Sequence, residues 1–182
     1  MDDKYVKLVT PKGTAKYPWL TKADTKFNPD GVYKTDLLLS SEEAKPLAAK
    51  IKDMFAKHFP KGKGKMPYFK ELDDNEKETG NIVFRFKTKN KPALFDSDGK
   101  PMHNVNVFGG SQVKVSATAA PYSAAGNNGI TLYLNAVQII ELVSGSGGDS
   151  GGFGFTAEEG YKHSGETDQP KSEGSSDDMD DF

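Results

Sequence analysis

The chain has 182 residues, 35% of them hydrophobic, and no cysteine, which excludes disulfides, thiolate metal sites and cysteine nucleophiles. Its formal charge of −2 hides a strong polarity: residues 1–143 hold 22 Lys+Arg against 16 Asp+Glu, a net +6, while residues 144–182 hold 2 against 10, a net −8. A lysine-rich body points to a polyanionic partner, and an acidic end can compete for the same surface or be read by a basic protein.

The start, Met1-Asp2-Asp3-Lys4, is acidic and leads into alternating residues, so the expectation is a soluble, cytoplasmic protein with neither a signal peptide nor a membrane span. Residues 5–9 and 12–20 read as extended segments broken by Pro11 and Gly13, the second ending in Tyr17-Pro18-Trp19-Leu20. Asn28-Pro29-Asp30-Gly31 has the chemistry of a turn, and a strand is expected over residues 32–39. Ser40-Ser41-Glu42-Glu43 offers a capping box for a helix whose apolar stripe is Leu47, Ala48, Ile51, Met54, Phe55 and Phe59. Pro46 blurs its first turn.

Lys61-Gly62-Lys63-Gly64-Lys65 reads as a flexible basic loop running into Met66-Pro67-Tyr68-Phe69-Lys70, with an exposed acidic stretch over residues 71–78. Residues 82–89 alternate cleanly, placing Val83, Arg85, Lys87 and Lys89 on one face and Ile82, Phe84 and Phe86 on the other, which is the core face. Ala93 to Phe95 predicts a short strand before an Asp96-Ser97-Asp98-Gly99 turn. Residues 113–119 alternate again up to Pro121, Gly126-Asn127-Asn128-Gly129 is expected to turn, and residues 130–140 make the longest strand. On that strand Tyr133 is expected to share a face with Thr131, Asn135 and Val137.

Short strands with Gly/Pro turns and one inserted helix predict a mainly β fold, an oligonucleotide-binding (OB) Greek-key barrel of about five strands over residues 1–143. From Ser144 periodicity is lost, and residues 144–182 are expected to be a Gly/Ser-rich linker and disordered acidic tail.

Residues 62–65 lack the spacing of a phosphate loop, Asp96 to Gly99 lack the downstream glutamate of a calcium loop, and His58, His103 and His163 lack metal-ligand spacing. No cofactor, metal or catalytic group is expected. Binding an unpaired nucleic acid, by contrast, needs a cationic track and exposed rings on which bases stack. Lysines and rings interleave at Lys16, Tyr17, Trp19, Lys22 and Lys26; at Tyr33 and Lys34; at Lys65, Tyr68 and Phe69; and at Arg85, Lys87 and Lys89; Lys114 and Tyr133 complete the candidate surface. With one Arg among 24 basic residues, bidentate reading of guanine is poorly provided for, so phosphate-driven binding without sequence preference is expected.

Tyr17-Pro18-Trp19-Leu20, Phe27-Asn28-Pro29-Asp30-Gly31 and the strand after it, the helix after Ser40, the Gly129-to-Gln138 stretch and an acidic tail closed by Phe182 occur in one order along the chain. In that order they resemble the single-stranded-DNA-binding, helix-destabilising proteins of tailed bacteriophages. The resemblance implies an OB fold, protection of single strands in phage replication and recombination within the infected host's cytoplasm, and homodimers. It also implies that the terminal acidic segment, here Asp177, Asp178, Asp180, Asp181 and Phe182, contacts replicative polymerase and helicase. Two other readings stay open at this point. One is a structural or interaction protein with a solubilising tail; the other is a magnesium-dependent nuclease using aspartates such as Asp24, Asp30 and Asp36.

Overall fold

Alternation along the strands separates an apolar interior from a charged exterior in the computed structural model, which describes residues 4–143. The elements in chain order are β1 (Val6–Val9), β2 (Gly13–Asp24), β3 (Val32–Ser40), α1 (Ser41–His58), β4 (Gly64–Lys65), β5 (Tyr68–Leu72), β6 (Glu78–Thr88), β7 (Ala93–Phe95), β8 (Gln112–Ala124) and β9 (Asn127–Glu141). Pairing runs β8–β2–β3–β6–β9, and a long antiparallel β8–β9 ladder returns to β8 and closes a five-stranded barrel. The short strands attach outside this circuit: β1 to β8, β5 to β6, and β4 and β7 in parallel to β9. This is the OB architecture expected from the sequence, with its helix between β3 and β6.

The interior is filled by the inward residues of each long strand: Leu37 and Leu39 of β3, Phe84 and Phe86 of β6, Val113 and Val115 of β8, Ile130 and Leu132 of β9. Each such side chain contributes about 1.5–3 kcal/mol when fully buried. The helix joins this core through Leu47, Ile51, Met54 and Phe55, with Phe59 half-buried against it. Its start is set by Ser40, whose hydroxyl accepts from the Glu43 amide at 3.3 Å. Pro46 is inside α1 and leaves one carbonyl of the preceding turn without its amide donor.

The sequence expectations depart from the structure where one local rule met a tertiary one. β8 does not stop at Pro121 but runs on to Ala124. Beyond Ala119 β8 no longer pairs with β1, so the missing proline amide faces an edge and breaks no ladder bond. The hairpin turn lies at Ala125 and Gly126, both at positive φ, with Asn127 already in β9 and paired to Ala124. Along β9 a bulge shifts the register between Leu134 and Ala136. Val137 therefore enters the core, leaving the face expected for it, while Thr131, Tyr133 and Asn135 share the outer face as expected. Residues 68–72, for which no strand was expected, form β5, and β6 begins at Glu78 inside the expected acidic stretch, leaving residues 73–77 as the exposed turn. The expected linker and tail, residues 144–182, lie outside the described residues.

Candidate nucleic-acid interface

Three neighbouring strands, β2, β3 and β6, present one outward face, and their register decides which side chains meet. Lys16 faces Asp36, which faces Arg85; Trp19 faces Lys34, which faces Lys87; and Lys87 in turn faces Tyr133 of β9. The second row, Trp19–Lys34–Lys87–Tyr133, crosses four strands and spans roughly 14 Å at about 4.8 Å per strand. It sets two ammonium groups between two rings.

The irregularity that shapes this face lies in β2. Register slips between Lys16 and Trp19, and Tyr17 adopts φ 49°. That left-handed backbone is costly for an aromatic residue, of order 1–3 kcal/mol, and is kept where surrounding structure enforces it. Here the bulge and Pro18 turn consecutive rings outward: Tyr17 is 74% and Trp19 39% exposed.

Beneath these rings lies a groove of about 550 Å³ lined by Tyr17, Trp19, Lys34, Lys65, Lys87 and Tyr122, among others. A second hollow of about 330 Å³ shares Tyr17, Asp36 and Arg85 with it and continues to Lys16, Phe69 and Glu71. A third, of about 270 Å³, begins on the other side of Trp19 and reaches Lys22 and Phe108. Lys65 comes to the groove because β4 pairs in parallel with β9, with Lys65 opposite Gly129. Gly129 leaves room for the Tyr122 ring, from which a Cβ would lie only 2.6 Å away.

Charge in the groove is largely paired. Lys16 donates to Glu71 at 2.8 Å, Lys34 meets Asp24 at 2.6 Å, Lys70 meets Glu78 at 2.8 Å, and Arg85 lies 3.6 Å from Asp36. Glu71 also accepts from Asn81 and Thr79, at 3.1 and 2.8 Å. The Lys16 hydrogen bond, then those of Asn81 and Thr79, hold its carboxyl at about 2, and the same bond raises the Lys16 ammonium above its ordinary value. Asp24 is lowered, first by its hydrogen bond from Lys34. Asp36 is raised, because burial outweighs the pull of Arg85. Arg85 also stacks on Phe69, its guanidinium carbon 4.8 Å from the ring centroid. Among the described residues, Lys65 and Lys87 have no carboxylate within 4.0 Å.

Of the residues chosen from sequence, Lys16, Tyr17, Trp19, Lys34, Lys65, Phe69, Arg85 and Lys87 line the two joined hollows, and Tyr133 stands one strand away, 45% exposed. Lys22 lies on the far side of Trp19. Five do not join the groove. Tyr33 is half-buried on the β3 face of Thr35 and Leu37, opposite to Lys34. Tyr68 turns inward onto Phe84, centroids 5.3 Å apart, with its hydroxyl buried and lacking a hydrogen-bond partner among the described residues. In β5, period two sends Phe69 out and Tyr68 in, so the two could not both be surface rings. Lys26 sits at the β2–β3 loop beside Phe27, Lys89 lies past the end of β6, and Lys114 faces Gln138 on the β8–β9 ribbon, lining a separate hollow with Val9 and Phe95. The tail residues Asp177, Asp178, Asp180, Asp181 and Phe182 lie outside the described residues.

Residues not chosen from sequence for nucleic-acid contact also belong to the groove. Asp36 and Glu71 supply its carboxylates, Met66, Pro67 and Tyr122 its walls, and Phe108 the far side of Trp19. Tyr122 had a signal, the glycine two residues into the returning strand. The three aspartates considered for magnesium do not converge: Asp24 is paired to Lys34, Asp36 is beside Arg85, and Asp30 lies in the Asn28 turn. Among the described residues no three metal-ligating side chains come together.

No family model matches the chain. It is 28% identical to the single-stranded DNA-binding protein of Escherichia phage T7, covering 84% of this chain and 83% of that protein. It is 27% identical to the single-stranded DNA-binding protein of Enterobacteria phage T3, covering 88% and 87%. The fold matches the crystal structure of T7 gp2.5, a single-stranded DNA-binding protein, with TM-score 0.64 and 26% identity over 88% of this chain and all of that one. It also matches the single-stranded DNA-binding protein of bacteriophage Enc34 in complex with single-stranded DNA, at TM-score 0.61 over 77% of this chain and 88% of that chain; at 15% identity this likeness speaks for the fold. In sequence and in fold the chain is similar to the single-stranded DNA-binding proteins of bacteriophages.

Proposed function

We propose that the barrel binds single-stranded DNA without sequence preference along the β2–β3–β6 face, as a binding protein and not an enzyme. The observation that carries this reading is the Trp19–Lys34–Lys87–Tyr133 row. Rings at its two ends offer stacking of about 1–3 kcal/mol per base, and lysines between them meet the backbone. Stacking requires a face of the base that a duplex keeps covered, so the arrangement favours unpaired strands. A titration of oligo-dT and of duplex DNA at several salt concentrations, followed by Trp19 fluorescence, tests it. The expected result is quenching by oligo-dT, tighter than duplex and weakened by salt; duplex binding as tight or tighter would overturn it.

Residues 144–182, with a net charge of −8, compete with DNA for the same cations and present Asp177 to Phe182 to replication proteins, polymerase and helicase among them. This part of the reading rests on charge and on the family likeness. The site of action is the cytoplasm of the infected cell, in replication and recombination, and homodimerisation is part of the same proposal. Truncation after Ser144 should raise affinity for oligo-dT and steepen its salt dependence; unchanged affinity at low salt would remove the competition.

A further inference from the structure

We propose that Asp36, with Glu71 beside it, acts as a built-in stand-in for phosphate, holding groove cations in the free protein and yielding them to DNA when a strand enters. The inference rests on the single-strand reading above and adds how affinity is limited. Six cations line the two joined hollows: Lys16, Lys34, Lys65, Lys70, Arg85 and Lys87. Four of them are already engaged by carboxylates of the protein itself. A phosphate arriving at these four replaces an anion; at Lys65 and Lys87 it fills a position with no carboxylate in reach among the described residues.

Asp36 is the pivotal one of these anions. It stands in the middle of the Lys16–Asp36–Arg85 row and contributes to both hollows, so a strand lying along the face passes over it. Its contact with Arg85, at 3.6 Å, is longer than a charge-assisted hydrogen bond of about 2.7–2.9 Å. The Arg85 side chain is 67% exposed and its guanidinium lies on the Phe69 ring, so a phosphate can reach it. Burial raises the Asp36 carboxyl, so its charge is held at a disadvantage and is not a source of stability. Glu71 differs: three donors fix it, and exchange there means that Lys16 leaves while Glu71 stays.

Exchange of this kind has a salt signature. A phosphate that meets a free cation releases condensed counterion, with a slope of about 0.7 per contact for single strands. Where a protein carboxylate is displaced, that carboxylate takes up a cation from solution and the release cancels. The wild-type slope therefore counts fewer contacts than the groove makes.

The test uses the full chain, wild type, Asp36→Asn, Glu71→Gln, Arg85→Ala and the Asp36→Asn/Arg85→Ala pair, titrated with oligo-dT across a salt series, with thermal unfolding to verify folding. Asp36→Asn should bind roughly two- to fivefold tighter at low salt and with a slope steeper by about 0.7. Glu71→Gln should move the same way, and keeps the proposal testable if the Asp36 variant does not fold. The Asp36→Asn gain should vanish in the Arg85→Ala background. Unchanged or weaker binding by Asp36→Asn, which would make it a residue that positions Arg85, overturns the exchange, as does a gain that survives without Arg85. Absence of wild-type binding to oligo-dT would remove the functional reading itself; wild-type binding with a flat Asp36→Asn response removes only the exchange.

Discussion

The β8–β9 ribbon and the β2–β3–β6 face are both outward surfaces of one barrel, yet they are built differently. β8 and β9 are paired through thirteen residue pairs, and their outer face carries small or neutral side chains such as Ser116, Thr118, Ala136 and Gln138 around a single cation, Lys114. β2 meets β3 through five pairs broken by two register shifts, holds Tyr17 in a left-handed conformation, and gathers cations with their carboxylate partners. The longer ladder closes the barrel, although it too carries two register shifts. Irregular pairing re-aims side chains, and it is tolerated on β2 because the ribbon and the shared core hold the rest in place. On the proposed reading the long ladder is scaffold, and the face that holds the strained Tyr17 is where the strand lies.

The largest expected effect breaks both regions at once. Phe86 is shared core beneath the groove, and Phe86→Ala should cost about 3–5 kcal/mol of stability, measured by denaturant unfolding. A smaller and more selective change is Trp19→Ala, which should weaken oligo-dT binding by about 1–3 kcal/mol with little change in unfolding, as a partly exposed ring predicts; equal losses in both would mark Trp19 as core. Next, Lys87→Ala should lower the salt slope for single strands by about 0.7, whereas Lys114→Ala should leave it unaltered. Tyr17→Gly relieves a conformation that glycine adopts freely, so the thermal midpoint should hold or rise while oligo-dT affinity falls. A fall in both would show that the strain is not what the bulge maintains.

The smallest effect is in acid. Glu71 is held at about 2, below its ordinary 4.5. A carboxylate lowered by folding stabilises the protein above its unfolded value, and that contribution is lost as pH falls from about 4.5 towards 2. Glu71→Gln should therefore flatten the decline of unfolding midpoint across that window; an unchanged acid limb would contradict the Lys16–Glu71 contact.

Local pattern carried much of this. The run from Ile82 to Lys89 separates Phe84 and Phe86 from Arg85 and Lys87 as the structure does, because period two needs no knowledge of neighbours. Ser40 caps α1 as its sequence predicts. The turn and the far part of β9 were not legible, since a bulge that moves Val137 inward is a response to the partner strand. The same holds for the site. Lysines and rings were visible in the sequence, but Lys16 meets Glu71 across 55 residues only because β2, β3 and β6 adjoin and β5 pairs with β6. Which cations are neutralised is thus a property of strand order, and Asp36 and Glu71 could not be chosen from local composition.

The most direct test is an amide and indole chemical-shift map of the labelled protein titrated with oligo-dT. The account predicts progressive shifts at the Trp19 indole and at the Lys34, Arg85 and Lys87 amides, with Lys114 and Gln138 unmoved. Shifts concentrated around Lys114 and Gln138, with the groove silent, would contradict it.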